Sequence, residues 1–218
     1  TYALTERLSV IAGLRWSQDD KSFTGLIRTI GGQVPIFPEV ALDNTYDALT
    51  PRFGVDWLAG EIGPFNSLLV YASAAKGFKS GGYNGIAFGN IDVLRTAYGP
   101  EENWTYELGV KSELLDNRLS VNAVAFHNEI SDIILAASAS GPGGISFPLQ
   151  NAGDARVRGL EIEASARPAD GLNLYASVTF QDGEYTELNP TSSAALAEAN
   201  FGEANLAQVP DVAYNIGA

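Results

Sequence analysis

Long runs of alternating apolar and polar side chains, found in eight segments of the 218 residues, constrain this chain more than any other feature. Between Asn103 and Leu114, Trp104, Tyr106, Leu108, Val110 and Leu114 fall on one side, and Asn103, Thr105, Glu107, Lys111 and Glu113 on the other. Side chains of a strand point alternately to opposite faces, so this stretch carries one oily surface and one wet surface. The same period recurs over Leu8–Trp16, Arg52–Trp57, Ser67–Ala74, Gly159–Ala166, Leu172–Gln181 and Asp211–Ile216. It also runs from Leu119 to Ala125, blurring near Val124 and Phe126. No stretch of helical length holds a convincing 3.6-residue period. A short helix is expected only in the alanine- and glutamate-rich run from Thr191 to Ala204.

The connections fall into two kinds that alternate strictly. Gly60–Pro64, Asp116–Asn117 and Pro168–Gly171 are tight and rich in turn-forming residues. The stretches from about Ser17 to Leu49, Phe78 to Glu102, Leu135 to Gly153 and Thr186 to Val209 are long. In an up-and-down antiparallel sheet this places every short turn at one end and every long loop at the other. Outer-membrane barrels have that asymmetry, with short periplasmic turns and longer extracellular loops.

A soluble antiparallel sheet, apolar face inward, is the ordinary alternative. Two features weigh against it. Patterns of about nine to eleven residues match a tilted bilayer crossing better than the usual soluble strand. Trp16, Trp57, Trp104 and Tyr214 sit near the ends of the patterns, where membrane-interface aromatics are expected. The expected fold is therefore all-β, an up-and-down transmembrane barrel wall of about eight strands.

Composition removes several function classes. No apolar run is long enough for a transmembrane helix. A net charge of −13 argues against a nucleic-acid partner, which requires a basic surface. There is no cysteine and one histidine, His127, so neither a zinc site of the usual kind nor a Cys-His pair can be assembled. No motif supports a Ser-His-Asp triad around His127, and no cofactor is expected. The acidic pairs Asp19-Asp20 and Glu101-Glu102 lack EF-hand spacing and read as solvated loops. The chain has no Met and no signal-like segment, as expected of a mature exported protein or a piece of a longer one.

Five blocks in order carry a resemblance. They are Thr50-Pro51-Arg52-Phe53-Gly54; Tyr71 through Asn84 (YASAAKGFKSGGYN); Pro100-Glu101 with Tyr106-Glu107-Leu108-Gly109-Val110-Lys111; Asp116-Asn117-Arg118-Leu119-Ser120; and Asn151-Ala152-Gly153-Asp154-Ala155 leading into Arg158-Gly159-Leu160-Glu161. Spanning about Thr50 to Tyr185, the series resembles the barrel of TonB-dependent outer-membrane receptors. The resemblance implies a 22-stranded barrel in the bacterial outer membrane, closed by an N-terminal plug. It also implies import of ferric siderophores or similar scarce solutes on energy passed by TonB. The plug, a TonB box and the other strands are missing from this sequence, which therefore reads as an internal slice of wall spanning 1–218. The small residues of its polar face (Gly13, Gly54, Ser67, Ser73, Gly109, Gly159, Ser165 and Ser177) would fill a self-closed eight-stranded barrel poorly and suit a wide, occupied lumen.

Charges on the polar faces, namely Arg15, Arg52, Asp56, Glu107, Lys111, Glu113, Glu161 and Glu163, must face a lumen. Turned to lipid, a Lys or Arg at mid-membrane would cost about 2–4 kcal/mol. There they either meet a plug or form a solvated, mutually paired network. The glycine-rich run Phe78–Asn90 offers Phe78, Tyr83, Asn84 and Phe88 as candidate ligand-capturing groups on an outer loop. Hairpin punctuation by its glycines explains the same run equally well. Three alternatives remain open: a complete small porin-like or adhesive barrel, a soluble glycan-binding β-domain and a barrel-embedded hydrolase.

Overall fold

The computed structural model describes residues 1–26, 28, 38–85, 91–136, 139–141, 144–189, 206 and 209–218. One antiparallel sheet of nine strands dominates it. In chain order these are β1 (Tyr2–Ala3), β2 (Leu8–Gly25), β3 (Val40–Leu58), β4 (Phe65–Lys79), β5 (Glu101–Leu114), β6 (Leu119–Ser131), β7 (Gly153–Ala169), β8 (Leu172–Leu188) and β9 (Val212–Gly217). Each strand pairs only with its neighbours in sequence. The alternation of turns and loops follows directly: residues 4–7, 59–64, 115–118 and 170–171 close one end, and all long connections lie at the other. Left-handed backbone makes the tight turns possible, at Leu115, Asp116 and Asn117 (φ 55°, 53° and 62°) and at Gly171 (φ 78°).

Register explains the sequence pattern residue by residue. Tyr2, Val10, Val55, Ala72, Leu108, Ala125, Leu160, Phe180 and Val212 lie opposite one another across all nine strands. The next row on that face is Leu8, Trp57, Val70, Val110, Ala123, Ile162, Val178 and Tyr214. Among the described residues no second layer covers it. Leu108 is 61% exposed, Trp16 62% and Tyr214 78%. Soluble monomers rarely expose apolar patches beyond a few hundred Å², so a face this wide and this bare needs a hydrocarbon solvent. A dry sandwich interior around Leu108, Ile162 and Val178 is excluded, because all three belong to one uncovered sheet.

Two small clusters of buried apolar residues lie at the loop end. Val40, Val93 and Leu94 form one small core with Phe23, Leu42 and Ile91. Ile133, Ala152 and Ala155 form another with Ile130, Leu135, Tyr185 and Leu206. Short strand pairs stiffen the loops: Gly82–Tyr83 with Ala97–Tyr98, Ile134–Ala136 with Leu149–Asn151, and Ala139–Gly141 with Gly144–Ser146. A five-residue helix, α1 (Ile91–Arg95), puts Val93 and Leu94 into the first core.

Two connections differ from expectation. The connection expected from Ser17 to Leu49 is largely strand, since β2 and β3 continue as a two-stranded ribbon beyond the last β3–β4 pair at Arg52. That ribbon lies beyond the β3–β4 pairing and packs only locally, Phe23, Val40 and Leu42 against Val93 and Leu94, so no long alternation marks it. Pro51 sits where the ribbon loses its neighbour β4, at an edge that tolerates proline. Pro168 belongs to β7, within the irregularity between Ala166 and Ala169, and leaves a turn of only Asp170 and Gly171. The run expected to form a helix, Thr191 to Ala204, lies outside the described residues.

On the apolar face the oily rows end at Trp104, Tyr106 and Phe180, and charge begins. Arg158 meets Asp182 at 2.9 Å, Arg156 meets Glu184, and Lys76 meets Glu102 at 2.7 Å. These pairs are at least partly solvated, and exposed pairs contribute about 0.2–1 kcal/mol. Arg158→Ala should therefore leave the temperature of the heat-modifiable gel shift almost unchanged. A large fall would show that this row lies deeper in lipid than its solvated pairs imply.

Candidate functional site

The sheet's polar face carries the charged residues singled out from sequence. Arg15 opposes Thr50, Arg52 opposes Gly13, and Asp56 opposes Ser9 and Tyr71. Glu107 pairs with Ser73 and Phe126, and Lys111 with Leu69 and Asn122. Glu161 pairs with Val124 and Thr179, and Glu163 with Asn122 and Ser177. Register thus brings all seven, with Glu113 between Ser67 and Ser120, to the face opposite Leu108. None of the seven forms an ion pair with another described residue. Lys111 instead sits over the Tyr71 ring, 5.6 Å from its centroid. Tyr71, Lys111, Asn122, Glu161 and Glu163 border a shallow depression of about 230 Å³. The chemistry on offer is a sparse array of charged side chains without ion-pair partners among the described residues.

Sequence reasoning missed the aromatic side chains on this face. Tyr71, Phe126 and Tyr175 each lie opposite a glycine of the next strand, Gly109, Gly159 and Gly217. A Cβ at any of the three would strike the ring beside it. Each glycine is a seat for a ring. This also explains the blurred pattern near Phe126: its position follows from Gly159, a residue far away in sequence.

The candidate capture residues divide. Tyr83 stacks on Phe23 at 5.5 Å and donates its hydroxyl to the Lys21 carbonyl at 3.2 Å, tying the loop to the β2–β3 ribbon. Partial desolvation, with Tyr46 and Asp43 nearby, holds that hydroxyl above the ordinary tyrosine range. Asn84 is buried and bonds both ways with Leu149: its Nδ2 donates to the carbonyl at 3.0 Å, and its Oδ1 accepts from the N–H at 2.7 Å. Phe78 lies in β4 opposite Glu102, on the face that also carries Trp104 and Tyr106. Phe88 lies outside the described residues. The structure therefore joins Tyr83 and Asn84 to neighbouring loops and sets Phe78 apart from them.

The remaining candidates have local partners. His127 Nε2 lies 3.2 Å from Glu129. Asp20 accepts from the Thr45 hydroxyl at 2.7 Å. Glu101 accepts from the Ile134 N–H at 2.8 Å and faces Lys79 at 3.6 Å. No group of three or more potential metal ligands occurs among the described residues.

A family model described as TonB dependent receptor-like, beta-barrel matches residues 1–218. The chain is 35% identical over 152 residues to the metal-pseudopaline receptor CntO of Pseudomonas aeruginosa, covering 69% of this chain and 19% of that protein. It is 29% identical over 173 residues to the pesticin receptor of Yersinia enterocolitica, covering 78% and 23%. The solved structure of the ferric yersiniabactin uptake receptor FyuA from Yersinia pestis matches with a TM-score of 0.69 at 22% identity, over 97% of this chain and 28% of that one. The siderophore receptor PiuA from Acinetobacter baumannii matches at 0.69 and 22%, over 98% and 28%. At these identities the structural matches establish fold alone. The chain spans 19% and 23% of the lengths of those two curated relatives.

Proposed function

This chain belongs to the TonB-dependent receptor β-barrel family of the bacterial outer membrane, and from that premise we propose that it is a stretch of wall in a receptor importing ferric siderophores or similar metal chelates. In this reading the rest of the barrel and a plug domain belong to a longer protein, in keeping with the small share of each relative that the chain matches. The carrying observation is the two-faced sheet: an uncovered apolar row across nine strands on one side, and unpaired charges on the other. Lipid takes the first face. The plug and lumen water take the second, where Arg15, Arg52, Asp56, Glu107, Lys111, Glu161 and Glu163 hold a polypeptide or a hydrated path. An array without internal ion pairs is suited to that, because each charge keeps its capacity for an outside partner.

Ligand capture belongs to the loop end. Tyr83 and Asn84 serve it by holding their loop in place, and Phe88 is the group that meets the ligand; Phe78, on the face of Trp104 and Tyr106, takes no part. The chemistry is binding and release, with no bond made or broken in the ligand, so the protein is not an enzyme. Energy for release comes from TonB acting on the plug.

The test is uptake of a radio-iron siderophore by cells that carry the full-length receptor and no other receptor for that chelate. Uptake is expected with TonB and should vanish on its deletion. Equal uptake in both strains would sink the energised reading and favour a passive pore.

A further inference from the structure

We propose that Asn84 and Asn151 are positioning residues that join the roots of three outer loops into one body. The loops are those following β4, β6 and β8, and only their described roots enter the argument. Asn84, 9% exposed, pairs with both backbone groups of Leu149 and so ties the first loop to the second. Asn151 does more. Its Oδ1 accepts from the Gly99 N–H at 2.6 Å, and its Nδ2 approaches the carbonyls of Gly99, Pro100 and Asp132 at 3.2, 3.3 and 2.9 Å. Its own carbonyl accepts from Asn189 Nδ2 at 2.7 Å, which brings in the third loop.

The joint is built on the wall rather than beside it. Ala152, 0% exposed, donates its N–H to the Ile133 carbonyl and accepts at its own carbonyl from the Asn189 N–H. Gly153 has φ 142°, and the Glu187 backbone occupies the space a Cβ would need. Asp154 accepts from the Asp132 N–H at 3.0 Å, and Ala155 is buried beside Ile133. The block Asn151 to Ala155 is thus a fixture at the rim where β7 begins.

Only a primary amide presents a donor and an acceptor together in the manner of a backbone peptide. A side chain without them leaves the part-buried Leu149 and Gly99 peptide groups without the partners the joint now supplies, and backbone groups shielded from water are costly to leave unpaired. Held together, the loop roots do not have to be ordered one at a time when a ligand arrives, which lowers the entropy cost of capture. That use rests on the capture reading above, but the joint itself can be measured without any ligand.

The measurement is the distance between nitroxide labels at Thr96→Cys and Phe147→Cys in the purified full-length receptor, with no ligand added. Both positions are exposed, and this chain has no cysteine of its own. The unaltered joint should give a single narrow distance. Asn84→Ala and Asn151→Ala should each lose it and give a broad distribution, with heat-modifiable migration retained. Asn151→Leu, which keeps most of the volume and none of the hydrogen bonds, should lose it as fully as Asn151→Ala. Should Asn151→Ala fail to fold, Asn84→Ala carries the test, because its residue lies outside the wall. A narrow distance that survives Asn84→Ala, or survives Asn151→Leu in a folded barrel, would overturn the proposal. Unchanged siderophore uptake in variants whose distance has broadened would count against the capture reading alone.

Discussion

Leu108→Arg or Ile162→Arg is expected to deplete the folded, heat-modifiable receptor in the membrane, whereas Lys111→Leu or Glu161→Leu should leave most of it in place. Leu108 and Ile162 belong to the oily rows, with apolar residues opposite them on both neighbouring strands. An arginine on the lipid face near mid-membrane costs about 2–4 kcal/mol. Folded domains are commonly stable by only about 5–15 kcal/mol, so a loss of this size is a large fraction of the total. Lys111 and Glu161 lie on the other face, where neither forms an ion pair with a described residue. Removing either charge breaks no ion pair with a described residue, at Lys111 only the contact with the Tyr71 ring, and the added apolar surface meets lumen or plug rather than bulk lipid. Equal depletion by all four substitutions, read on unheated gels, would falsify the assignment of faces.

Those faces were readable before any coordinates, and the reason is physical. Lipid on one side and water on the other impose a period of two on each crossing, so the pattern from Trp104 to Leu114 states its own orientation. The pattern stops being informative where the environment becomes the same on both sides. Above Trp16, β2 continues to Gly25 outside the oily rows, with only Phe23 packed on a small loop-end core, and Ser17, Gln18, Asp19, Asp20 and Lys21 carry no sign of it. Helix α1 is too short to establish a period. Arg156 and Arg158 continue the parity of Leu160 and Ile162, yet lie past the oily rows and pair with acids of β8. Alternation gives the side of the sheet but not the height in the membrane.

The loop end was less legible still. Tyr83 and Asn84 stood out as exposed-looking polar and aromatic residues in a glycine-rich run. Asn84's partner is Leu149, and Asn151 gathers Gly99, Asp132 and Asn189. A short loop carries no record of which distant backbone it will meet. The Asn151–Ala155 block was conspicuous only through its resemblance to a family, and its role as a joint emerges from contacts between separate loops.

Alanine at Gly159 and at Gly109 is expected to behave differently, although both glycines seat an aromatic ring. At Gly159 the added carbon would lie 2.5 Å from the Phe180 carbonyl oxygen as well as 2.6 Å from the Phe126 ring. The oxygen is backbone within the β7–β8 ladder, so the hairpin itself must shift. At Gly109 the nearest atoms all belong to the Tyr71 ring, which can swing aside and surrender its contact with Lys111. Overpacking a site that cannot yield costs about 1–3 kcal/mol, and Gly159→Ala should reach the upper part of that range. Gly109→Ala should cost less, near the value of one exposed cation–π contact, about 0.5–1 kcal/mol. Second substitutions separate the causes. Tyr71→Ala should absorb the strain of Gly109→Ala, while Phe126→Ala should leave Gly159→Ala nearly as damaged, because the Phe180 oxygen stays where it is. Denaturant midpoints of the folded barrel measure all of these. A full rescue of Gly159→Ala by Phe126→Ala would show that the ring, and not the backbone, sets the need for glycine there.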